Sequence, residues 1–181
     1  GAPESDLAAL WDVAEESAAE HNKVVNRDDW RLVIPVHIAE TRKEAIEQAR
    51  IGAGRYQGEY FEHTMGRDPV IDGPQEKIIE AMIDNGSWII GDPDDCIAGI
   101  RKLEERSGGF GGFMVQTIDW AQREQVLHSF ELLARYVMPQ FQGSTLSTAA
   151  SNQWAYEHQE ILSAGRVQAI NRAKSDYATR T

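Results

Sequence analysis

Arg31-Leu32-Val33-Ile34-Pro35-Val36-His37-Ile38, followed by Ala39-Glu40-Thr41, is the stretch that decides the fold. It is apolar at nearly every position and dense in β-branched residues, the pattern of a strand covered on both faces of a parallel sheet. Pro35 argues the other way, because a residue without an N–H interrupts a central ladder. Thr41 and Glu44 have the spacing of a capping box, so a helix follows the strand and runs to about Arg55 or beyond. Gly52, Gly54 and Gly58 weaken its second half.

The same alternation continues downstream. Residues 63–74 are rich in Gly and Pro and read as irregular, and 74–85 form a short helix with Ile78, Ile79, Met82 and Ile83 on one face. Trp88-Ile89-Ile90-Gly91 is a short strand. Asp92 then caps a helix, with Pro93 at its first position and Asp94 and Asp95 in its first turn, where acids complement the dipole. Ile97, Ile100 and Leu103 make its buried face, and Gly108-Gly109 end it. Phe110 to Thr117 is a third strand, and Asp119 with Gln122 gives a second capping box. Val126, Phe130, Leu133 and Val137 stripe the helix that follows, and Pro139 stops it. Upstream, Leu7, Leu10, Trp11, Ala14 and Ala18 mark an opening helix ending near Asn22. From Gly143 the chain is Ser/Thr-rich, then helical from about Asn152 to Tyr177. Alternating strands and helices imply an α/β fold with a parallel sheet. The opening helix lacks the strand that should precede it, so the pattern is that of the latter part of a larger α/β domain.

Composition bounds the function. The chain has 181 residues, 41% hydrophobic and 26% charged, which suits one globular domain with a real core. Eighteen Lys and Arg against 29 Asp and Glu leave a net charge of -11, which speaks against non-specific binding to nucleic acid or an anionic membrane. The single cysteine, Cys96, excludes an internal disulfide and a Cys-rich zinc site and suits a reducing, cytoplasmic location. The acids beside it should raise its pKa, although a helix N-terminus acts the other way. No apolar run approaches the roughly 20 residues of a membrane-spanning helix, and Gly1 to Asp6 do not read as a signal peptide. His21, His37, His63, His128 and His158 show no paired ligand spacing with a nearby acid, so no metal site is expected.

Three segments together carry a resemblance. They are Ile90-Gly91-Asp92-Pro93-Asp94-Asp95-Cys96-Ile97, Ser107-Gly108-Gly109-Phe110-Gly111-Gly112-Phe113 and Ala134-Arg135-Tyr136-Val137-Met138-Pro139-Gln140-Phe141, with Pro35-Val36-His37-Ile38-Ala39-Glu40-Thr41 adding to them. In this order and spacing the chain resembles the C-terminal half of a luciferase-like flavin-dependent monooxygenase, of the alkanal or limonene monooxygenase type. The resemblance implies the C-terminal part of a (β/α)8 TIM-type barrel. Trp30 to Ile38 would be strand six, Trp88 to Gly91 strand seven and Phe110 to Thr117 strand eight. Residues 1–142 would be the half barrel, with a lid-like excursion at about 60–86, and 143–181 a partly helical tail.

The family implies reduced FMN, delivered by a flavin reductase, and oxidation of a small hydrophobic substrate; a relative branch uses a deazaflavin and transfers hydride. It also implies that much of the flavin contact lies upstream of this chain, which would then be inactive alone. Barrel enzymes place function at the C-terminal ends of strands. By alternation Val33, Pro35 and His37 face the barrel, so His37 is the candidate catalytic residue, the alternative being a satisfied core histidine. Gln116, on the face of Gly112 and Met114, is a candidate donor to a flavin carbonyl or else a loop cap. Gly112 would allow close approach to a ring or relieve crowding. Trp120 would wall the site or staple the last helix. Asp92, Asp94 and Asp95 would repel a phosphate from the loop after strand seven. A second reading makes the chain a non-catalytic interaction module, whose unpaired strands six and eight join it to itself or to a complementary N-terminal half. An oligomer is expected on either reading.

Overall fold

Strand β1, Arg31–Ile38, has the bounds the sequence predicts, and the rest of the sheet is built on it. A computed structural model describes residues 7–71, 73–74, 77–143 and 146–179. The first six residues, read above as no signal peptide, lie outside these, as do 72, 75–76 and 144–145 of the excursion and the Ser/Thr-rich turn. The chain divides into two compact units, Gly1–Gln140 and Phe141–Thr181.

In the first unit, α1 (Leu7–Glu20) precedes β1, and α2 (Arg42–Arg55) follows it. A π-helical extension at Tyr56–Thr64 leads to α3 (Ile78–Asp84), β2 (Ile89–Gly91), α4 (Pro93–Ser107), β3 (Gly112–Gln116) and α5 (Arg123–Leu132). All three strands are parallel, in the order β2-β1-β3. This corrects one expectation. Successive strands of a barrel are neighbours, whereas here β1 lies between the other two. The expected free edge of β1 is therefore covered, and β2 and β3 are the edges. β2 pairs with Val36 to Ile38, and β3 with Arg31 to Pro35.

Pro35 sits in this central strand because its missing N–H meets no partner. Ala39 N–H points to β2, donating to Gly91 O at 3.1 Å, and alternation along the strand turns position 35 the same way. Pairing with β2 begins only at Val36. The opposite edge is finished by a side chain. Beyond the last β3 pair, Ile38 N–H donates to Ser129 Oγ at 2.9 Å, both residues being buried. Ser129→Ala leaves that N–H unpartnered, and a loss of about 1–3 kcal/mol in chemical denaturation is expected.

The core lies where α2 crosses the sheet. Ala45, Ala49 and Ala53 repeat every four residues, are fully buried, and meet Ile78, Ile79, Met82, Trp88, Ile90 and Trp120. This small face explains why the glycine-rich end of α2 does not fray: the helix continues to Arg55 and on through the π-helical turns to Thr64. The excursion is thus helical at its start and again at α3, with its irregular part between them. On the far side, α1 buries Trp11 and Ala18. Arg27 stacks over Trp11 at 4.7 Å and donates to the carbonyls of Ser107 and Gly109, where α4 ends on the left-handed Gly108.

The caps are mixed. Glu44 N–H donates to Thr41 Oγ1, and Asp92 with Asp95 forms a full capping box. The box expected at Asp119 and Gln122 is shifted: α5 starts at Arg123, and Gln122 N–H donates to Gln125 Oε1. Pro139 does not stop the helix. The backbone widens into π-type turns at Leu133–Val137, Met138 N–H reaches Leu133 O, and α6 (Met138–Gln142) runs through the proline. The buried stripe also moves, to Ser129, Leu132, Leu133 and Val137, leaving Phe130 at the surface.

The second unit holds α7 (Leu146–Glu157) and α8 (Gln159–Ala178). Helix begins earlier than the sequence suggests and breaks at His158. Among the described residues of both units, no helix is long and apolar enough to cross a membrane, and no group of three or more His, Cys, Asp or Glu could hold a metal ion.

Candidate functional site

Alternation in β1 and β3 turns Val33, Pro35, Met114 and Gln116 to one face, in register as Val33 beside Met114 and Pro35 beside Gln116. No helix covers this face fully: Val33 is 52% and Met114 51% exposed. A cavity of about 700 Å³ opens on it. Val33, Pro35 and Gln116 line its floor; Tyr56, Gln57 and Phe61 line it from the π-helical turns, and Trp88 from the entrance to β2. Arg67 lies over the Phe61 ring at 4.7 Å. The volume suits a small organic molecule.

Of the four residues singled out from sequence, Gln116 lines this cavity. His37 does not; it is 3% exposed. Its Nε2 donates to Gln48 Oε1 at 2.9 Å, and Gln48 Nε2 donates to Glu44 Oε1 at 2.9 Å. Beside it is a void of about 10 Å³, the room of one water molecule. Gly112 faces the Arg31 side chain, where a Cβ would lie 2.6 Å from Cδ. Its N–H and that of Gly111 both donate to Trp30 O, so the glycine pair seats β3 against the turn before β1. Trp120 is 4% exposed and packs on Trp88 at 4.5 Å and on Tyr56 at 6.0 Å, two residues that do line the cavity. Its Nε1 is buried with no hydrogen-bond partner among the described residues.

Burial pushes the His37 pKa below the usual histidine value, against the opposing hydrogen bond from Gln48. A histidine held neutral in the fold and free to protonate when unfolded destabilises the fold in acid. Its stability contribution is whole above the unfolded pKa of about 6.5 and is lost as pH falls below it. The melting midpoint should therefore drop on acidification from pH 7 to 5, and His37→Gln should flatten that drop. His128 works in the opposite sense: Glu131 and Glu40 raise its pKa. It is exposed, so His128→Gln should leave the drop in place; an unchanged acid slope in His37→Gln would sink the assignment.

Other chemistry is muted. Cys96 is buried, and burial, with Asp95 beside it, pushes its thiol up to about 12, so it carries no thiolate at neutral pH. The acid-rich start of α4 is tied by its capping box and by Arg42 Nη1, 2.9 Å from Asp95 Oδ1. Sequence reasoning missed Gln57. It is 5% exposed, lines the cavity, and its side chain makes no hydrogen bond to another described residue. Nothing in the pattern of a glycine-rich helix end marks it.

No family model matches this chain. It is 41% identical over 158 residues to 4-hydroxyprotoasukamycin monooxygenase of Streptomyces nodosus subsp. asukaensis, covering 87% of this chain and 42% of that protein. It is 36% identical to limonene 1,2-monooxygenase of Rhodococcus erythropolis, covering 97% of this chain and 46% of that one. Among solved structures it resembles the oxygenating constituent of 3,6-diketocamphane monooxygenase from the CAM plasmid of Pseudomonas putida, a type II Baeyer-Villiger monooxygenase in complex with FMN. That match has a TM-score of 0.59 and 25% identity, over 77% of this chain and 41% of the other. Monooxygenase RslO1 from Streptomyces bottropensis shares the fold at a TM-score of 0.61 and 17% identity, over 77% of this chain and 39% of that one. The chain thus spans less than half the length of the relatives it matches, and those relatives are named monooxygenases.

Proposed function

We propose that this chain is the C-terminal half of a luciferase-like, flavin-dependent monooxygenase that oxidises a small hydrophobic molecule with reduced FMN and O2, and that it is inactive alone. The observation that carries the reading is the cavity on the uncovered sheet face, in a chain similar to monooxygenases over most of its own length and less than half of theirs. Bound reduced flavin supplies the oxygen-activating chemistry. The chain supplies shape and dryness: Val33 and Pro35 offer an apolar floor, and Tyr56, Phe61 and Trp88 exclude water from one side. The Gln116 carboxamide fits the hydrogen-bonding edge of the flavin ring. The Asp92, Asp94 and Asp95 cluster does not fit its phosphate, which belongs on the complementary half.

His37 then serves as a buried proton-bearing group beside the sheet and Trp120 as a wall behind Trp88. On this reading the chain acts in the cytoplasm, takes its cofactor from a flavin reductase, and closes against a complementary N-terminal half. The test joins this chain to the part of the Streptomyces relative that it does not match. Substrate-dependent O2 consumption with FMN and a reductase is expected in the fusion and not in the chain alone. A folded fusion that binds no flavin overturns the proposal. Turnover of a reduced deazaflavin without O2 would move it to the hydride-transfer branch.

A second reading, a non-catalytic interaction module, is favoured by the adjacent exposed Val33 and Met114. It predicts a homo-oligomer whose association Val33→Asp abolishes, which light scattering would register.

A further inference from the structure

We infer that Gln57 is a specificity-determining residue of the cavity, and that it selects uncharged ring compounds carrying a hydrogen-bonding group over all-hydrocarbon ones. The inference deepens the monooxygenase reading by naming the group that orients the organic substrate. It rests on that reading only for calling the ligand a substrate.

Three observations meet at this residue. First, Gln57 is 5% exposed, and what remains accessible of it lies on the cavity wall. Second, its carboxamide has no hydrogen-bond partner among the described residues, so the exposure that remains to it is free for a ligand. Its polar atoms are not among the buried unpartnered ones, so they reach the solvent of the cavity and can exchange that solvent for a ligand group. Third, its surroundings are ring-shaped and apolar: Tyr56 precedes it, Phe61 lies one helical turn on, and Trp88 with Val33 and Pro35 completes the lining. The charged lining residues, Arg67 among them, are more exposed than Gln57, so the buried end offers a ligand the Gln57 carboxamide, beside the donor-only Trp88 indole, and no charge.

A carboxamide both donates and accepts. A ring hydroxyl can donate to Gln57 Oε1, and a ring carbonyl can accept from its Nε2. A hydrocarbon of the same shape leaves both atoms unpaired. Discrimination of this kind exceeds what an added methyl group achieves in an apolar pocket.

The test uses the 181-residue chain without flavin, so that its failure is separate from failure of flavin binding in the fusion. Equilibrium dialysis measures affinity for 2-naphthol and for 2-methylnaphthalene, which differ by OH against CH3. Gln57→Met keeps length and helix propensity and removes both polar atoms. The preference for naphthol over methylnaphthalene should fall by about tenfold from wild type to Gln57→Met, the effect of one satisfied hydrogen bond. The variant should fold as well as wild type, because no hydrogen bond to a described residue is lost. A second variant, Gln57→Asn, shortens the reach but keeps the chemistry, and should hold an intermediate preference. An unchanged preference in Gln57→Met overturns the inference, as does failure of the wild-type chain to bind either probe.

Discussion

Gly52→Ala should destabilise the protein, although helix propensity alone predicts the reverse. Gly52 lies in the third turn of α2, and the Trp120 backbone crosses directly over it. A Cβ at this position would fall inside van der Waals contact with both the Cα and the carbonyl oxygen of Trp120. Those are backbone atoms at the end of a short loop, so they cannot swing aside as a side chain would. Replacing Gly by Ala inside a helix gains about 1 kcal/mol, whereas an extra methyl group in a packed contact costs about 1–3 kcal/mol and occasionally more. Moving Trp120 also disturbs its packing on Trp88 and Tyr56, so the net expectation is a loss of about 2 kcal/mol, read as a lower denaturation midpoint with an unchanged slope. Gly165→Ala is the matching control. It sits in α8 with nothing within 4 Å of the added carbon, so only the propensity gain should remain. A Gly52→Ala variant as stable as wild type would mean that the loop after β3 does not rest on α2.

The contrast between those glycines marks what the sequence makes legible. Local signals carried: β1, its Thr41 cap, the Asp92 cap with Pro93, and the left-handed end at Gly108 are each decided by a few adjacent residues. Where a residue's meaning depends on something distant, the local rule failed. Pro35 is tolerated in a central strand because β2 is too short to reach it. Pro139 is absorbed because the preceding turns widen. Gly52 reads as a weak helix position until the Trp120 backbone that requires it is known. Strand order is the extreme case, since β1 lies between strands that come dozens of residues later.

The site divides the same way. The face of Val33, Pro35 and Gln116 follows from alternation alone, and the structure opens a cavity there. His37 follows the same alternation yet stands outside the cavity, because Gln48 on α2 draws its ring away. Gln57 was invisible because its importance is the absence of a partner, a property only packing creates.

Trp88→Ala should show the largest loss of any side-chain truncation around the cavity. Trp88 is 4% exposed and serves two structures at once. It is part of the core with Ala45, Ile79 and Ile90, and it is also a wall of the cavity. Truncating a buried Trp typically costs 3–5 kcal/mol, and the ring contacts with Trp120 and Tyr56 are lost with it. The cavity would at the same time gain the volume of an indole and reach the buried Trp120 N–H. Trp120→Phe should behave quite differently. It keeps most of the ring packing and removes the one buried side-chain donor without a partner among the described residues, so loss of area and relief of an unsatisfied group oppose each other. Its stability should stay within about 1 kcal/mol of wild type in the chain alone. Joined to the complementary half, the same substitution becomes informative about closure. If an acceptor from that half meets the indole N–H, Trp120→Phe should cost the fusion stability that it does not cost the chain. Equal effects in both would place the acceptor nowhere in the completed protein, and a Trp88→Ala variant within 1 kcal/mol of wild type would show that the aromatic cluster does not hold the cavity wall.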